Sequence, residues 1–236
     1  MVDMKVVQAA VAHAAQEAPR ESCGLVVARD NKAVYVPCRN IASGEREFAI
    51  APEDWAAVED SGEILMVVHS HYGVPPEPSH ADLVECEKSG LPWLIVNWPV
   101  GSHKVLEPSG FVLPLRKRQF CHGVIDCFTL IRDYYDQVLN IKLADPVRQD
   151  YWWERGEDLY LDNYKDWGFV HIPFEDLREH DVVLMTMQSQ VPNHGAIYLG
   201  NSRILHHLRG RLSSEDVFGG YWVRNTHSVY RHKELL

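Results

Sequence analysis

Apolar positions in the first half of the chain alternate between helical and strand-like spacing. Met4, Val7, Ala10, Val11 and Ala14 fall on one side of a helix predicted over 4–17. Apolar runs predict strands near 23–29, 33–37, 64–69, 91–97 and 103–106, with helices over 52–59 and 80–89 between them. Pro108-Ser109-Gly110 and Pro114 then break the pattern. Beyond them Leu130, Ile131, Tyr134 and Val138 share one face of a helix between Asp126 and Asn140, with Asp126 as its N-cap. A Trp- and Tyr-rich stretch follows over 151–169, then strands near 182–187, 194–199 and 203–208. The expectation is an α+β (α/β mixed) chain of two domains without internal repeats. Residues 1–109 form a sheet flanked by helices, 110–118 a linker, and 119–236 a helix followed by antiparallel strands.

Composition bounds this picture. With 236 residues, 46% of them hydrophobic, each domain is large enough to bury a core. A net charge of -10 argues against nucleic acid as a partner, because phosphate binding needs a concentrated basic surface. The basic cluster Arg116-Lys117-Arg118 sits at the domain boundary and is expected to be solvated linker. Five cysteines without paired spacing point to reduced thiols and synthesis in a cytoplasm. The first 18 residues read as an amphipathic helix and not as a secretion signal. No apolar run approaches the roughly 20 residues of a membrane span. Trp152, Trp153, Tyr160, Tyr164 and Trp167 are expected to pack a core and not to stack a ligand.

His69-Ser70-His71, with seven residues between His71 and Ser79 and then Asp82, is the strongest chemical signal. Side chains alternate along a strand, so residues 69 and 71 face the same side, and a helix starting near Ser79 can return Asp82 to them. Two imidazoles and a carboxylate suit one zinc ion, with a fourth position open for water as in hydrolytic sites. Glu21, just before an apolar run, supplies a carboxylate for proton transfer. Ser79-x-x-Asp82 also has the form of a helix-capping box. Together these residues resemble the motif of the JAMM (Mov34/MPN) metallopeptidases. The resemblance implies zinc held by His69, His71 and Asp82, Glu21 as general acid and base, and Ser79 stabilising the oxyanion. Tyr72 stands where many members have Pro.

Cys127 opens the second helix, where the macrodipole and a nearby imidazolium are expected to lower its pKa. His194 begins one strand of a hairpin, and His206 and His207 end the other. Directly paired residues point to the same face, so a two-residue turn selects His207 as the partner of His194 and a three-residue loop selects His206. This half resembles the NlpC/P60 cysteine peptidases, whose Asp-Cys at a helix start, His before an apolar strand and polar residue twelve positions on match Asp126-Cys127, His194 and His206. The resemblance implies a papain-like fold, Cys127 as nucleophile, His194 as base and His206 as its orienting group. Phe128 replaces the usual Ser. No upstream Tyr matches, so the oxyanion donor is open between the Cys127 amide and His122.

The order of the two motifs, with the run Thr226 to His232 at the end, resembles the tail assembly protein K family of long-tailed bacteriophages. That resemblance implies a virion tail tip component, made in the bacterial cytoplasm and hydrolysing peptidoglycan stem peptides in the periplasm during entry. Other tail tip proteins, including a ubiquitin-like tail assembly protein I, are the implied partners. A purely structural assembly role and maturation of a ubiquitin-like tail partner are the alternatives.

Overall fold

The computed structural model describes residues 2–149 and 151–236. The chain divides into two compact units, Met1–Val112 and Leu113–Leu236. Among the described residues no helix is long and apolar enough to cross a membrane.

In the first unit α1 (Met4–Glu17) precedes a hairpin of β1 (Cys23–Arg29) and β2 (Lys32–Cys38). Helix α2 (Pro52–Glu59), β3 (Ile64–Tyr72), α3 (His80–Ser89), β4 (Trp93–Trp98) and β5 (His103–Leu106) follow. The sheet order is β2-β1-β3-β4-β5, with β3 and β4 the parallel pair. A parallel pair needs a crossover, and α3 supplies it. Alternation along the strands sorts the core into two layers. Val26, Val68 and Leu94 meet Val6, Val7, Ala10 and Ala14 of α1. Leu25, Val27 and Val67 face Val58 of α2 and Cys86 of α3. Val7, Ala10 and Ala14 thus bury as the helical spacing predicts, whereas Met4 is largely exposed in the first turn. Strand β3 runs to Tyr72, past the predicted end near 69, because Val68 to Tyr72 keep pairing with Leu94 to Trp98.

The second unit begins with α4 (Cys127–Leu139) and the short α5 (Leu159–Asn163). Six strands follow: β6 (Phe169–Ile172), β7 (Val182–Met185), β8 (His194–Tyr198), β9 (Arg203–His206), β10 (Ser214–Val217) and β11 (Thr226–His232). They form one antiparallel sheet in the order β10-β9-β8-β7-β11-β6, with a last short helix, α6 (Tyr221–Arg224), before β11. The apolar face of α4 packs on β7, β8 and β9 through Leu130, Ile131 and Tyr134 against Leu184, Ile197 and Leu205. Gly195 permits this approach, since a Cβ there would lie 2.7 Å from Ile131 Cδ1. Tyr160 and Trp152 are buried in the same core, and Trp153, Tyr164 and Trp167 pack against it. Val138, in the last turn of α4, is half exposed.

Arg116 and Lys117 are exposed as expected of a solvated linker, but Arg118 is not. Arg118 has no exposed surface, and its guanidinium donates to Asp133 at 2.7 Å and to the carbonyls of Pro114 and Leu113 at 2.7 and 2.9 Å. A buried guanidinium is retained only where such acceptors surround it. Arg231 does the same for β11: its bidentate pair with Asp181, both contacts at 2.8 Å, fixes that polar strand beside β7. All five cysteines are free thiols.

Truncating one partner of a buried ion pair leaves the other charge uncompensated. Arg118→Ala is expected to destabilise the second unit by about 3 kcal/mol, seen as a lower urea midpoint, whereas Arg116→Ala at the exposed Arg116–Glu215 pair changes it little.

Candidate functional site

The first constellation is built by strand register and a helix cap. In the β1–β3 ladder Cys23 pairs with His69, so Glu21, two residues before, comes alongside His71. Ser70 clamps this alignment: its backbone N–H donates to the Ser22 carbonyl at 3.0 Å, and its Oγ accepts from the Ser22 N–H at 2.8 Å. His69 and His71 point toward the α3 layer. At the start of α3 the Ser79 Oγ accepts from the Asp82 amide at 3.2 Å, and the Asp82 carboxylate accepts from the Ser79 amide at 2.7 Å. This capping box holds the Asp82 carboxylate 3.2 Å from His69 Nε2 and 3.6 Å from His71 Nε2.

The two Nε2 atoms are 3.2 Å apart, and His71 Nδ1 lies 3.1 Å from the Pro75 carbonyl, an acceptor. That contact requires N–H at Nδ1 and leaves the His71 Nε2 lone pair turned toward its neighbours. Ligand atoms of His69, His71 and Asp82 all fall within 4.8 Å of one another, and all three residues are buried. A lone pair, a second imidazole nitrogen and a carboxylate facing one another is a donor set that fits a cation. Phe48 stacks on His69 at 4.5 Å, and the edge of Trp93 confines it at 5.6 Å. Burial lowers the pKa of His69. At His71 burial acts in the same sense, but Asp82 and the Pro75 carbonyl outweigh it, so its pKa is raised. Burial also opposes ionisation of Asp82, yet the two histidines hold its carboxyl far below the usual range. Glu21 is pushed up to about 8 by burial, which outweighs the opposing charge of His71.

The second constellation surrounds the N-terminus of α4. Asp126 caps the helix by accepting from the Thr129 amide at 2.9 Å, and its other oxygen takes the Arg148 Nε at 3.0 Å and the Gly123 amide at 3.0 Å. Cys127 and His194 line one cavity of about 210 Å³, together with His122, Arg148, His207 and Arg209. No hydrogen bond joins the sulfur to His194; the Cys127 thiol bonds instead to the Tyr160 hydroxyl at 3.4 Å. Behind His194, its Nε2 is 3.1 Å from His206 Nδ1. The hairpin decides which histidine takes that place. Ala196 pairs with His206, Tyr198 with Ile204, and Leu199 donates to Arg203, so the loop is Gly200-Asn201-Ser202. All three loop residues have φ between 50° and 75°. His206 therefore shares a face with His194, and His207 turns to Phe120, 5.1 Å away between ring centroids.

The pKa expectation for Cys127 is overturned. Burial, reinforced by the negative charge of Asp126, pushes the thiol up, and these outweigh the Tyr160 hydrogen bond, the Gly195 amide and the charge of Arg148. Burial lowers His194 to about 3, with His206 and His207 adding to the effect. Both shifts favour the uncharged pair, thiol and neutral imidazole. His122, one of the two oxyanion candidates, lines the cavity with Nε2 3.1 Å from the Gln149 carbonyl.

The family model described as prokaryotic homologs of the JAB domain matches residues 3–106, and the NlpC/P60 family model matches residues 116–231. Tail tip assembly protein K of Escherichia phage N15 is 40% identical over 235 residues, 98% of this chain and 96% of its own length. The chain belongs to the tail tip assembly protein K family. The protein K of Escherichia phage lambda is 40% identical over 184 residues, 78% of this chain and 89% of its own. Desampylase of Pyrococcus furiosus is 32% identical over 83 residues, 33% of this chain and 59% of its own.

Three groups in this member of the protein K family escape sequence reasoning. Tyr160 reads as a core aromatic and is one, with only its hydroxyl reaching the sulfur. Arg148 lies in an irregular segment with no periodicity, yet is buried against Asp126 and over the Phe128 ring at 4.7 Å. Asp216 sits on a polar edge strand, 3.2 Å from His206 Nε2.

Burial raises the pKa of Asp126, but Arg148 and the amides of Thr129 and Gly123 outweigh it, leaving the carboxyl below its ordinary value. A depressed carboxyl stabilises the fold fully above its unfolded pKa, about 4, and the contribution is lost as pH falls through the folded value. Asp126→Asn is thus expected to lower the urea midpoint at neutral pH, with the gap to the unaltered protein closing below about pH 4. Tryptophan fluorescence across a pH series measures this.

Proposed function

We propose that the protein is a tail tip component that hydrolyses peptide bonds of host peptidoglycan as the phage genome enters, using Cys127 as nucleophile. The observation that carries this reading is the single cavity lined by Cys127 and His194, with His206 hydrogen-bonded behind the imidazole. Membership of the protein K family supports the tail tip location and contact with other tail proteins. His194, neutral at physiological pH, accepts the Cys127 proton as the sulfur attacks the scissile carbonyl. The same nitrogen then protonates the leaving amine and activates water against the thioester. The Tyr160 hydroxyl and the Cys127 amide are the donors best placed to stabilise the oxyanion beside the sulfur.

The donor set of His69, His71 and Asp82 fits zinc, and a second hydrolytic site in the first unit follows from it. Zinc there would supply Lewis acidity, polarising a scissile carbonyl and acidifying water. Glu21, with a pKa raised to about 8, both accepts and returns a proton near neutral pH. Ser79 spends a lone pair on the cap and keeps its O–H to donate to a developing oxyanion. The match to a protein named desampylase favours a protein substrate for this site, such as a ubiquitin-like tail partner.

The two sites are expected to fail separately. Cys127→Ala should abolish cleavage of defined stem peptides and leave zinc binding, followed by calorimetry, intact. His69→Ala should remove zinc binding and leave stem-peptide cleavage within a few-fold of the unaltered protein. Loss of both properties in either variant, with the fold intact by circular dichroism, would refute independent sites.

A further inference from the structure

Behind His206 stands a carboxylate that neither family motif includes. Strand β10 pairs Ser214 with His206, so Asp216, two residues on, lies on the same face as the imidazole. Its Oδ2 is 3.2 Å from His206 Nε2, and His206 Nδ1 is 3.1 Å from His194 Nε2. The imidazole of His206 is almost fully buried, and the Trp222 ring stands edge-on to it at 4.6 Å. Arg211 approaches the two Asp216 oxygens at 3.4 and 3.5 Å.

Three groups in line can share protons in only one way when both imidazoles are neutral. Burial holds them so, lowering His194 and His206 alike, although Asp216 partly offsets the effect at His206. A neutral imidazole carries a single N–H, and an ionised carboxylate only accepts. Asp216 therefore requires the His206 proton on Nε2, which leaves a lone pair on Nδ1. That lone pair in turn requires the His194 proton on Nε2. The nitrogen of His194 left to act as a base is Nδ1. The opposite arrangement would turn a lone pair of His206 onto the carboxylate at 3.2 Å.

We propose that Asp216 is a positioning residue that sets the tautomers of His206 and His194, so that His194 offers Nδ1 to the Cys127 thiol. The proposal rests on the reading of Cys127 as nucleophile. The thiol proton moves to His194 Nδ1, and the resulting imidazolium already directs its Nε2–H at His206. Without Asp216 the relay has no fixed direction, and formation of the thiolate is disfavoured.

Two measurements without substrate test this. In the unaltered protein at pH 7, nitrogen-15 NMR of labelled histidines should find His194 and His206 both as Nε2–H tautomers; an Nδ1–H form at either would overturn the proposal. Mass spectrometry should show that Asp216→Ala slows iodoacetamide modification of Cys127 about 10- to 100-fold, and that Asp216→Glu restores most of the rate. An unchanged rate in a folded Asp216→Ala protein would overturn it equally. Because neither measurement uses a peptide, an unaltered protein that left stem peptides intact would count against the peptidase reading alone.

Discussion

Strand register is the constraint on which both sites rest. Side chains repeat every two residues along a strand, and a slip of one residue would turn His69, His71, His194 and His206 to the opposite faces of their sheets. In the first unit the register is locked by Ser70, which bonds through its amide and its hydroxyl to Ser22. In the second it is locked by burial, because the face of β8 opposite His194 must admit α4 at Gly195 and place Ile197 in the core. The hydrophobic layers therefore set more than stability. They fix which polar groups can meet.

Burial then assigns the resting protonation states. Asp82 and Asp126 remain ionised inside the protein because each is answered by several donors, and Glu21 is driven toward its neutral form because it is not. His194 is kept neutral and Cys127 kept as a thiol by the same loss of water. If Cys127 is the nucleophile proposed above, an enclosed site of this kind stores it uncharged and needs a base with a defined lone pair, the demand that the proposed roles of Asp216 and His206 answer.

The first unit was legible in the sequence because its elements are long and strongly periodic. The predicted helices and strands coincide with α1 to α3 and β1 to β5 to within a few residues, and the metal motif marks the end of β3 and the start of α3. Much less of the second sheet could be read. Strands β6, β10 and β11 are short or polar, and in β11 the buried Val229 and Tyr230 are joined by Arg231, whose pairing with Asp181 no local pattern reveals. Arg118 misled for the same reason: in sequence it belongs to a basic run, and in space it fills a socket of acceptors. Cys127 misled differently, since a helix start suggests an acidic thiol and the depth of the pocket reverses the sign.

Surface loops ordinarily tolerate insertion and deletion. The turn Gly200-Asn201-Ser202 has no such freedom, because its count of residues chooses between two adjacent histidines. Removing one residue there would exchange His206 for His207 without altering a single side chain near the sulfur. In descendants of this chain, natural selection on the chemistry should therefore be visible as invariant length at a solvent-facing bend, a place where sequence itself is free to drift.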